Sequence, residues 1–441
     1  MTVTRNVYGG ASIRPDSREF AIDLTQRLAS QEILERAILL AQEQSVQGWG
    51  WSPTNLGSGG VGLALVHLAA ARAGGLIAGV DHVASAVEHL RRAANATARL
   101  PFHAPGLLGG TAGLGHAMRQ AAEMEPRLID SRDALDDKLA EQVLLVNEAQ
   151  LQARHAEDYD VISGSAGVLM YLLSLPAPTG RVEQAIASTT SHLVNLVLPE
   201  RAEAMSALVI RPEQYPMTQY ERDFPEGYLN LGFAHGLPGI VSALSWAART
   251  GVSVPRLTEA RDACVRYLLS VGPDLSWGTG VPVSREGVHG EPTSVDECHV
   301  AWCYGGPGVA ASLLAAAVTS NNSEVLDAAT QAFRRGLEHY RAKGGAISGT
   351  FCHGHAGMVV LARLFAAHDS AFCCDLLALE EELLTYRRAK SILGVQDQEV
   401  PGTMVDDPSL LSGSAGVALT ILDTDLTMWA PIIGWAGPVS W

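Results

Sequence analysis

The chain has 441 residues, 47% of them hydrophobic and 18% charged, so it can bury a large core and is too apolar to be disordered. Its formal net charge of −16 argues against nucleic acid or an anionic membrane surface as the main partner. The longest apolar run, residues 61–80, contains His67, Arg72 and several glycines, so we interpret it as a buried helix and expect no membrane span. No apolar signal core follows the first residues, which predicts a cytoplasmic protein.

A glycine motif, G-x-x-G followed by an apolar residue, occurs seven times. Each copy opens a run rich in Ala, Leu and Val, and successive copies are 49 to 72 residues apart. The first glycines are Gly57, Gly110, Gly164, Gly236, Gly305, Gly354 and Gly413. A period near 50 residues is typical of one supersecondary unit per repeat.

Helical spacing of Ala, Leu, Glu and Arg between the motifs predicts amphipathic helices. The predicted ranges are 31–44, 83–100, 182–197, 257–271 and 324–341. The runs after the motifs are apolar nearly all round, so they must be buried on every side. Seven buried helices alternating with seven half-exposed ones predict an all-α fold, a closed α/α toroid of two layers that spans residues 1–441 as one domain. Glycine at the inner helix N-termini would let the backbones crowd together at one rim.

Two intervals between motifs are longer than the others. Their extra residues, near 199–230 and 271–298, lack a helical period and contain several prolines, which predicts inserted loops or short strands. Both precede repeats that carry candidate site residues. They could hold substrate over the rim, or they could be plain surface loops.

Two cysteines occupy matched positions of the repeat. Cys303 and Cys352 each lie two residues before the first glycine of a motif, and His353 follows Cys352 directly. Zinc takes thiolate and imidazole ligands, and catalytic zinc sites use three protein ligands. The three residues therefore predict a zinc site at the rim, the alternative being buried free cysteines and a hydrogen-bonded histidine. Two thiolates make the ion a poor activator of water but keep a third thiolate nucleophilic, which favours thiol alkylation over hydrolysis.

The remaining cysteines do not indicate a disulfide framework, because six in 441 residues are too few. Cys264, Cys373 and Cys374 lie in predicted helices and are expected to pack. Cys298 is left without a role.

The combined motifs are similar to those of the lanthipeptide cyclases, the LanC family, from about residue 30 to 425. The similarity rests on the seven glycine units and on four segments: Tyr159-Asp160-Val161, Ala234-His235-Gly236, Trp302-Cys303-Tyr304-Gly305 and Cys352-His353-Gly354. It implies a toroid with zinc (Zn2+) bound by Cys303, Cys352 and His353. The implied reaction is Michael-type addition of a peptide cysteine thiol to dehydroalanine or dehydrobutyrine, which closes (methyl)lanthionine rings in antibiotic biosynthesis. The implied partners are a dehydrated precursor peptide and, as further candidates, a lanthipeptide dehydratase and a transporter.

The resemblance also implies roles around the metal. His235 matches the acid/base histidine, Asp160 the active-site aspartate that would orient it, and Tyr304 the tyrosine beside the first ligand. The chain departs from the family at His299, where many members have an arginine that could steady the enolate. Histidine could do so only when protonated, so His299 is either a substitute for that arginine or a plain loop residue.

The sequence leaves open the role of His355 and two alternative functions. His355 could support the zinc ligands or be a surface residue at a helix start. The protein could instead add glutathione to dehydroamino acids in proteins, as LanC-like proteins of other lineages are thought to do. It could also be a non-catalytic, zinc-stabilised scaffold that binds a peptide.

Overall fold

The computed structural model describes residues 13–75, 79–100, 102, 104–149, 155–178, 180–215, 219–272, 274–283, 293–294 and 300–436. In chain order, the helices are α1 (Pro15–Ala29), α2 (Gln31–Gln44), α3 (Gly60–Arg72), α4 (His82–Arg99), α5 (Thr111–Met124), α6 (Ile129–Ala149), α7 (Ser165–Leu173), α8 (Arg181–Val197), α9 (Gln219–Asp223), α10 (Leu237–Arg249), α11 (Leu257–Val271), α12 (Gly306–Ser320), α13 (Ser323–Ala342), α14 (His355–His368), α15 (Cys373–Leu383) and α16 (Ser414–Leu422). The strands are β1 (Tyr228–Asn230), β2 (Gly280–Pro282), β3 (Asp397–Val400) and β4 (Thr403–Val405).

The helices that follow the glycine motifs form a closed inner ring. In the order α3, α5, α7, α10, α12, α14 and α16, each packs on the next, and α16 packs on α3. Every residue of α7 and of α16 is buried, as expected for helices that are apolar all round. The hydrophobic core therefore lies within this ring and between it and the outer helices.

The outer layer contains α4, α6, α8, α11, α13 and α15, each packed on inner helices or on its outer neighbour. Helices α2 and α11 have the predicted bounds, α8 differs from its prediction by one residue at its start, and α4 and α13 differ by one residue at each end. Helix α1 was not predicted from the sequence, and it packs on α16 and α3. Helix α2 packs on α1 and β4. Helix α1 thus covers the junction where the inner ring closes.

Each inner helix begins after an N-cap glycine, and the first motif was placed two residues too early. The N-cap of α3 is Gly59, not Gly57. A Cβ on Gly62 would lie 2.5 Å from the carbonyl oxygen of Leu56. The second glycine of each of the other six motifs makes the same close approach to the carbonyl six residues earlier. The first motif is therefore Gly59/Gly62, since only glycine tolerates this approach.

A closed ring of backbone hydrogen bonds joins the seven motif loops. In each loop, the residue two positions before the N-cap glycine accepts a hydrogen bond from the loop before it, and that residue or its neighbour donates to the next loop. The bonds, from N to O, are Gly57 to Leu108 (3.0 Å), Leu108 to Ile162 (2.8 Å), Val161 to Ala234 (3.0 Å), Ala234 to Cys303 (3.3 Å), Cys303 to Cys352 (3.3 Å), Cys352 to Leu411 (2.8 Å) and Leu411 to Gly57 (3.0 Å). This ring, called the rim ring below, defines the glycine-rich end of the toroid.

Two short strands pair across the two long intervals between the glycine motifs. β1, at the end of the first, pairs antiparallel with β2 of the second, with Leu229 opposite Val281. The hairpin of β3 and β4 was not predicted, and it lies between α15 and α16. Within the part of the chain that the structure describes, no helix is both long enough and apolar enough to cross a membrane.

Candidate metal centre and active site

The two candidate cysteine ligands are consecutive members of the rim ring. The backbone N–H of Cys303 donates to the carbonyl oxygen of Cys352 at 3.3 Å. Cys303 is buried at 6% exposure, whereas Cys352 and His353 are partly exposed. Each cysteine lies in the turn that leads into an inner helix, two residues before the N-cap glycine. The fold therefore brings two thiols from different repeats to one part of the rim.

Hydrogen bonds connect the candidate ligands through Cys352. The Cys303 thiol and the His353 ring both hydrogen-bond with Cys352, and together they lower the pKa of its thiol against the opposing effect of burial. Burial lowers the pKa of His353, but its hydrogen bonds with Asp397 and Cys352 outweigh burial and raise that pKa well above the usual value. The thiolate of Cys352 is thus favoured before any ion is considered.

These residues fit zinc by donor type and by neighbourhood. In the described ranges, no three His, Cys, Asp or Glu side chains already form a set of metal ligands. The side chains of Cys303 and His353 instead each contact Cys352 through hydrogen bonds. Two thiols and one imidazole are a donor set typical of zinc. A metal-ligating histidine usually donates its other ring N–H to a carboxylate, and Oδ1 of Asp397 accepts a hydrogen bond from Nε2 of His353 at 3.1 Å.

Asp397 is a site residue that the sequence reading missed. It begins β3, and its side chain is 7% exposed. Burial raises the pKa of its carboxyl, but hydrogen bonds from His353, Ser348 and Thr350 lower the pKa below its usual range. No motif marks this residue, because it lies in the hairpin outside the helical repeat.

His235 and Asp160 form the second histidine–carboxylate pair of the rim. Nδ1 of His235 lies 2.6 Å from Oδ2 of Asp160, whose side chain is fully buried. The other oxygen, Oδ1, accepts from the backbone N–H groups of Ser163 at 2.7 Å and Gly164 at 2.9 Å. The carboxylate is therefore fixed by its own loop, while 38% of the His235 side chain stays exposed.

The electrostatics of this pair favour imidazolium. Burial lowers the pKa of His235, but the hydrogen bond and negative charge of Asp160 raise it, and the charges of Cys352 and Glu157 add to that effect. The net pKa is above the ordinary value. His235 thus interacts with the candidate ligand Cys352 as well as with Asp160.

Tyr304 packs next to Cys303 and against the loop after β1. Its hydroxyl oxygen accepts a hydrogen bond from Nδ2 of Asn230 at 3.1 Å. Gly232 makes room for the ring, because a Cβ there would lie 2.5 Å from Cε1 of Tyr304. Burial raises the pKa of Tyr304 well above its usual value, so the phenol stays protonated. Asn230 is a second residue without a signal in the sequence.

His355 and Cys374 do not have the surroundings that the sequence predicted. His355 is fully buried, with Nε2 2.7 Å from the carbonyl oxygen of Leu379 and Nδ1 2.5 Å from the hydroxyl of Tyr340. His355 does start α14, but the expectation of a surface residue was wrong, because it is buried. Its ring bonds Tyr340 and Leu379 and no candidate metal ligand in these contacts, so it ties the start of α14 to the outer layer. Cys374 is exposed, so the expectation that it packs was also wrong. His299 and Cys298 lie outside the described residues.

Residues 50–428 match a family of proteins described as "Lanthionine synthetase C-like protein". The chain belongs to this family. The predicted family resemblance is thereby confirmed.

Two relatives extend this comparison. The "Nisin biosynthesis protein NisC" of Lactococcus lactis subsp. lactis is 28% identical over 218 residues, which are 47% of this chain and 49% of that protein. The match thus spans about half the length of this relative. A solved structure titled "Nisin cyclase" superposes with a TM-score of 0.70 at 20% identity, covering 89% of this chain and 94% of that one. The structural similarity confirms the predicted α/α toroid.

Proposed function

We propose that the protein is a zinc-dependent lanthipeptide cyclase. It adds peptide cysteine thiols to dehydroalanine or dehydrobutyrine and closes (methyl)lanthionine thioether rings. The observation that carries this proposal is the convergence of Cys303, Cys352 and His353 at one part of the rim ring, in electrostatic contact with the His235–Asp160 pair. Membership of the lanthionine synthetase C-like family supports it.

Cys303, Cys352 and His353 would hold the ion. A zinc ion held by these residues would keep a substrate thiol in its thiolate form at neutral pH. The protein's own contribution is to keep the two cysteine backbones adjacent through the bond between Cys303 N and Cys352 O. Because that bond is part of the rim ring, the fold itself keeps the two cysteines adjacent.

His235 would manage the proton of the addition. The carbon–sulfur bond forms at the β-carbon of the dehydro residue as its carbon–carbon π bond breaks, and the electron pair moves towards the α-carbon and its carbonyl. The thiol loses its proton when it becomes the thiolate and the α-carbon takes one proton, so the ring closes without change of mass. Asp160 engages Nδ1 of His235, which leaves Nε2 for the substrate. The raised pKa of His235 favours the protonated ring that this step needs.

Tyr304 would act as a neutral donor. Its oxygen already accepts from Asn230, so its own proton is left for a substrate carbonyl. A hydrogen bond to that carbonyl is stronger in the enolate than in the ground state, which is the condition for faster chemistry. His235 would therefore transfer the proton, and Tyr304 would stabilise the negative charge of the enolate.

The proposed substrate is a dehydrated precursor peptide, since the reaction needs a dehydroamino acid and a free cysteine in one chain. A dehydratase must act before this step, and we propose the dehydratase and a transporter as partners in the cytoplasm. The net charge of −16 is compatible with a peptide partner and unfavourable for nucleic acid.

The test uses a synthetic peptide with one dehydroalanine and one cysteine, incubated with the purified protein and assayed for free thiol and mass. A cyclase removes the thiol without changing the mass. A mass gain of one glutathione, in a parallel reaction that contains it, would support the glutathione-adding alternative. Unchanged thiol and mass with folded, zinc-loaded protein would contradict catalysis and favour the binding scaffold.

A further inference from the structure

Asp397 reaches the rim from an element that does not belong to the helical repeat. It opens β3, where it pairs with Val405 of β4, and its side chain is 7% exposed. Oδ1 of Asp397 lies 3.1 Å from Nε2 of His353. The hairpin therefore delivers a buried carboxylate to one side of the imidazole, while Cys352 hydrogen-bonds with the same ring.

Two buried hydroxyls hold this carboxylate in place. Thr350 Oγ1 donates to Oδ1 of Asp397 at 3.2 Å, and Thr350 and Ser348 share a hydrogen bond of 2.6 Å between their hydroxyls. Ser348 is 1% exposed and Thr350 is fully buried. Because a buried polar group without a partner is costly, this chain opposes rotation of Asp397 away from His353.

The geometry selects one tautomer of His353. An ionised carboxylate only accepts hydrogen bonds, so the nitrogen that faces it, Nε2, carries the hydrogen. In the neutral ring, the other nitrogen, Nδ1, then has the lone pair that a metal ion needs. His235 has the opposite arrangement, because Asp160 engages its Nδ1. One rim thus contains two histidine–aspartate pairs that present different nitrogens.

We propose that Asp397 is the positioning residue of the metal centre: it holds the hydrogen on Nε2 of His353 and thereby presents Nδ1 to the ion. The inference rests on the proposed zinc site. Asp397 does not touch the substrate or the ion in this arrangement, and it acts only through His353. Thr350 holds Asp397 in this position through its hydrogen bond to Oδ1.

The test is zinc affinity of the full chain, measured by competition with a chromophoric chelator, for wild type and Asp397→Asn. The amide of asparagine can turn its N–H group towards Nε2 and so favour the wrong tautomer. Loss of such an outer partner costs about 10–100-fold in metal affinity. Asp406→Asn is the matched control, since Asp406 is also buried near the hairpin but bonds Ser391 and Gln396. We expect its affinity to stay within about twofold of wild type.

Thr350→Val gives a second, nearly isosteric variant in case Asp397→Asn does not fold. Removing the hydroxyl that donates to Asp397 should weaken zinc binding about threefold, less than loss of the carboxylate. Cobalt substitution adds a spectroscopic readout: Asp397→Asn should keep the thiolate-to-cobalt charge-transfer band and change the ligand-field bands.

The outcomes separate this inference from the proposed function. Wild-type protein that binds zinc, together with Asp397→Asn and Thr350→Val affinities equal to that of Asp406→Asn, would overturn the role of Asp397 and leave the metal site standing. Wild-type protein that does not bind zinc would overturn the proposed function, and the role of Asp397 with it.

Discussion

Cys303 donates its backbone N–H to the carbonyl oxygen of Cys352 at 3.3 Å, although the two residues are 49 positions apart. One repeat of the toroid separates them, so the fold converts a sequence period into direct contact. The other members of the rim ring cannot bind a metal through their side chains; they are Gly57, Leu108, Val161, Ile162, Ala234 and Leu411. The proposed metal site is therefore confined to one sector of the rim ring.

The register of the first motif gives a stability test. Gly62→Ala would place a Cβ 2.5 Å from the Leu56 carbonyl oxygen, whereas Gly60→Ala would meet its nearest atom, the Pro53 carbonyl oxygen, at 3.1 Å. Both glycines lie in α3, where alanine is intrinsically better by up to about 1 kcal/mol. We expect Gly62→Ala to lower the free energy of unfolding by about 1–3 kcal/mol in urea titrations, as overpacking does.

Gly60→Ala is the matched control and should change that free energy by less than about 1 kcal/mol. If Gly60→Ala were the more damaging of the two, the original placement of the motif at Gly57/Gly60 would be correct.

Asp160→Asn tests the second histidine–aspartate pair. The substitution removes the negative charge that raises the pKa of His235, so that pKa should fall. Because the proposed step needs protonated His235, kcat should fall about 10²-fold and the alkaline limb of the pH–rate profile should move to lower pH. Kinetics on the dehydrated peptide between pH 5 and 9 measure both effects.

Asp158→Asn is the control for this change, because Asp158 lies two residues before Asp160 and accepts a hydrogen bond from the backbone N–H of His155, whereas the charges that raise the pKa of His235 are those of Asp160, Cys352 and Glu157. Its profile should keep the wild-type shape. An Asp160→Asn profile that falls in rate without moving along the pH axis would argue against an acid role for His235.

A buried histidine on α3 predicts acid sensitivity. His67 is 1% exposed, its Nδ1 lies 3.0 Å from Nδ1 of His82, and its ring stacks on that of His89. Burial, with the nearby charges of His89 and His82, lowers the pKa of His67 to about 3. The unfolded chain therefore binds the proton first, so stability is lost as pH falls below about 6.5, by about 1.4 kcal/mol per pH unit for this group.

His67→Leu should remove that contribution. Urea unfolding at pH 7, 6, 5 and 4 should give a shallower loss of stability than wild type, whatever the offset at pH 7. Identical slopes for the two proteins would show that His67 takes up no proton on unfolding.

Most of what could be predicted, the inner helices and the candidate metal ligands, followed from the glycine repeat. Glycines before apolar runs predicted the inner helices, and Cys303, Cys352 and His353 could be selected because they occupy matched motif positions. The same reasoning misplaced the first motif, since Gly57, Gly59, Gly60 and Gly62 offer more than one G-x-x-G-like pairing and only the carbonyl contact of Gly62 decides between them.

The residues that support the site were not predictable by this route. Asp397 lies 44 positions after His353 and reaches it through a short hairpin, for which the sequence has no repeated signal. Asn230 reaches Tyr304 through the pairing of β1 with β2, which joins two separate insertions. Such contacts depend on long-range packing, and periodicity describes only local structure.

The most direct measurement is the zinc content of purified wild type, Cys303→Ala and Cys352→Ala, read beside ring closure on the dehydrated peptide, with Cys264→Ala as a buried cysteine outside the site. We expect about one zinc per chain and full activity for wild type and Cys264→Ala, with loss of both in the other two variants. Wild type that closes rings without zinc, or Cys303→Ala and Cys352→Ala that keep both the metal and the activity, would contradict it.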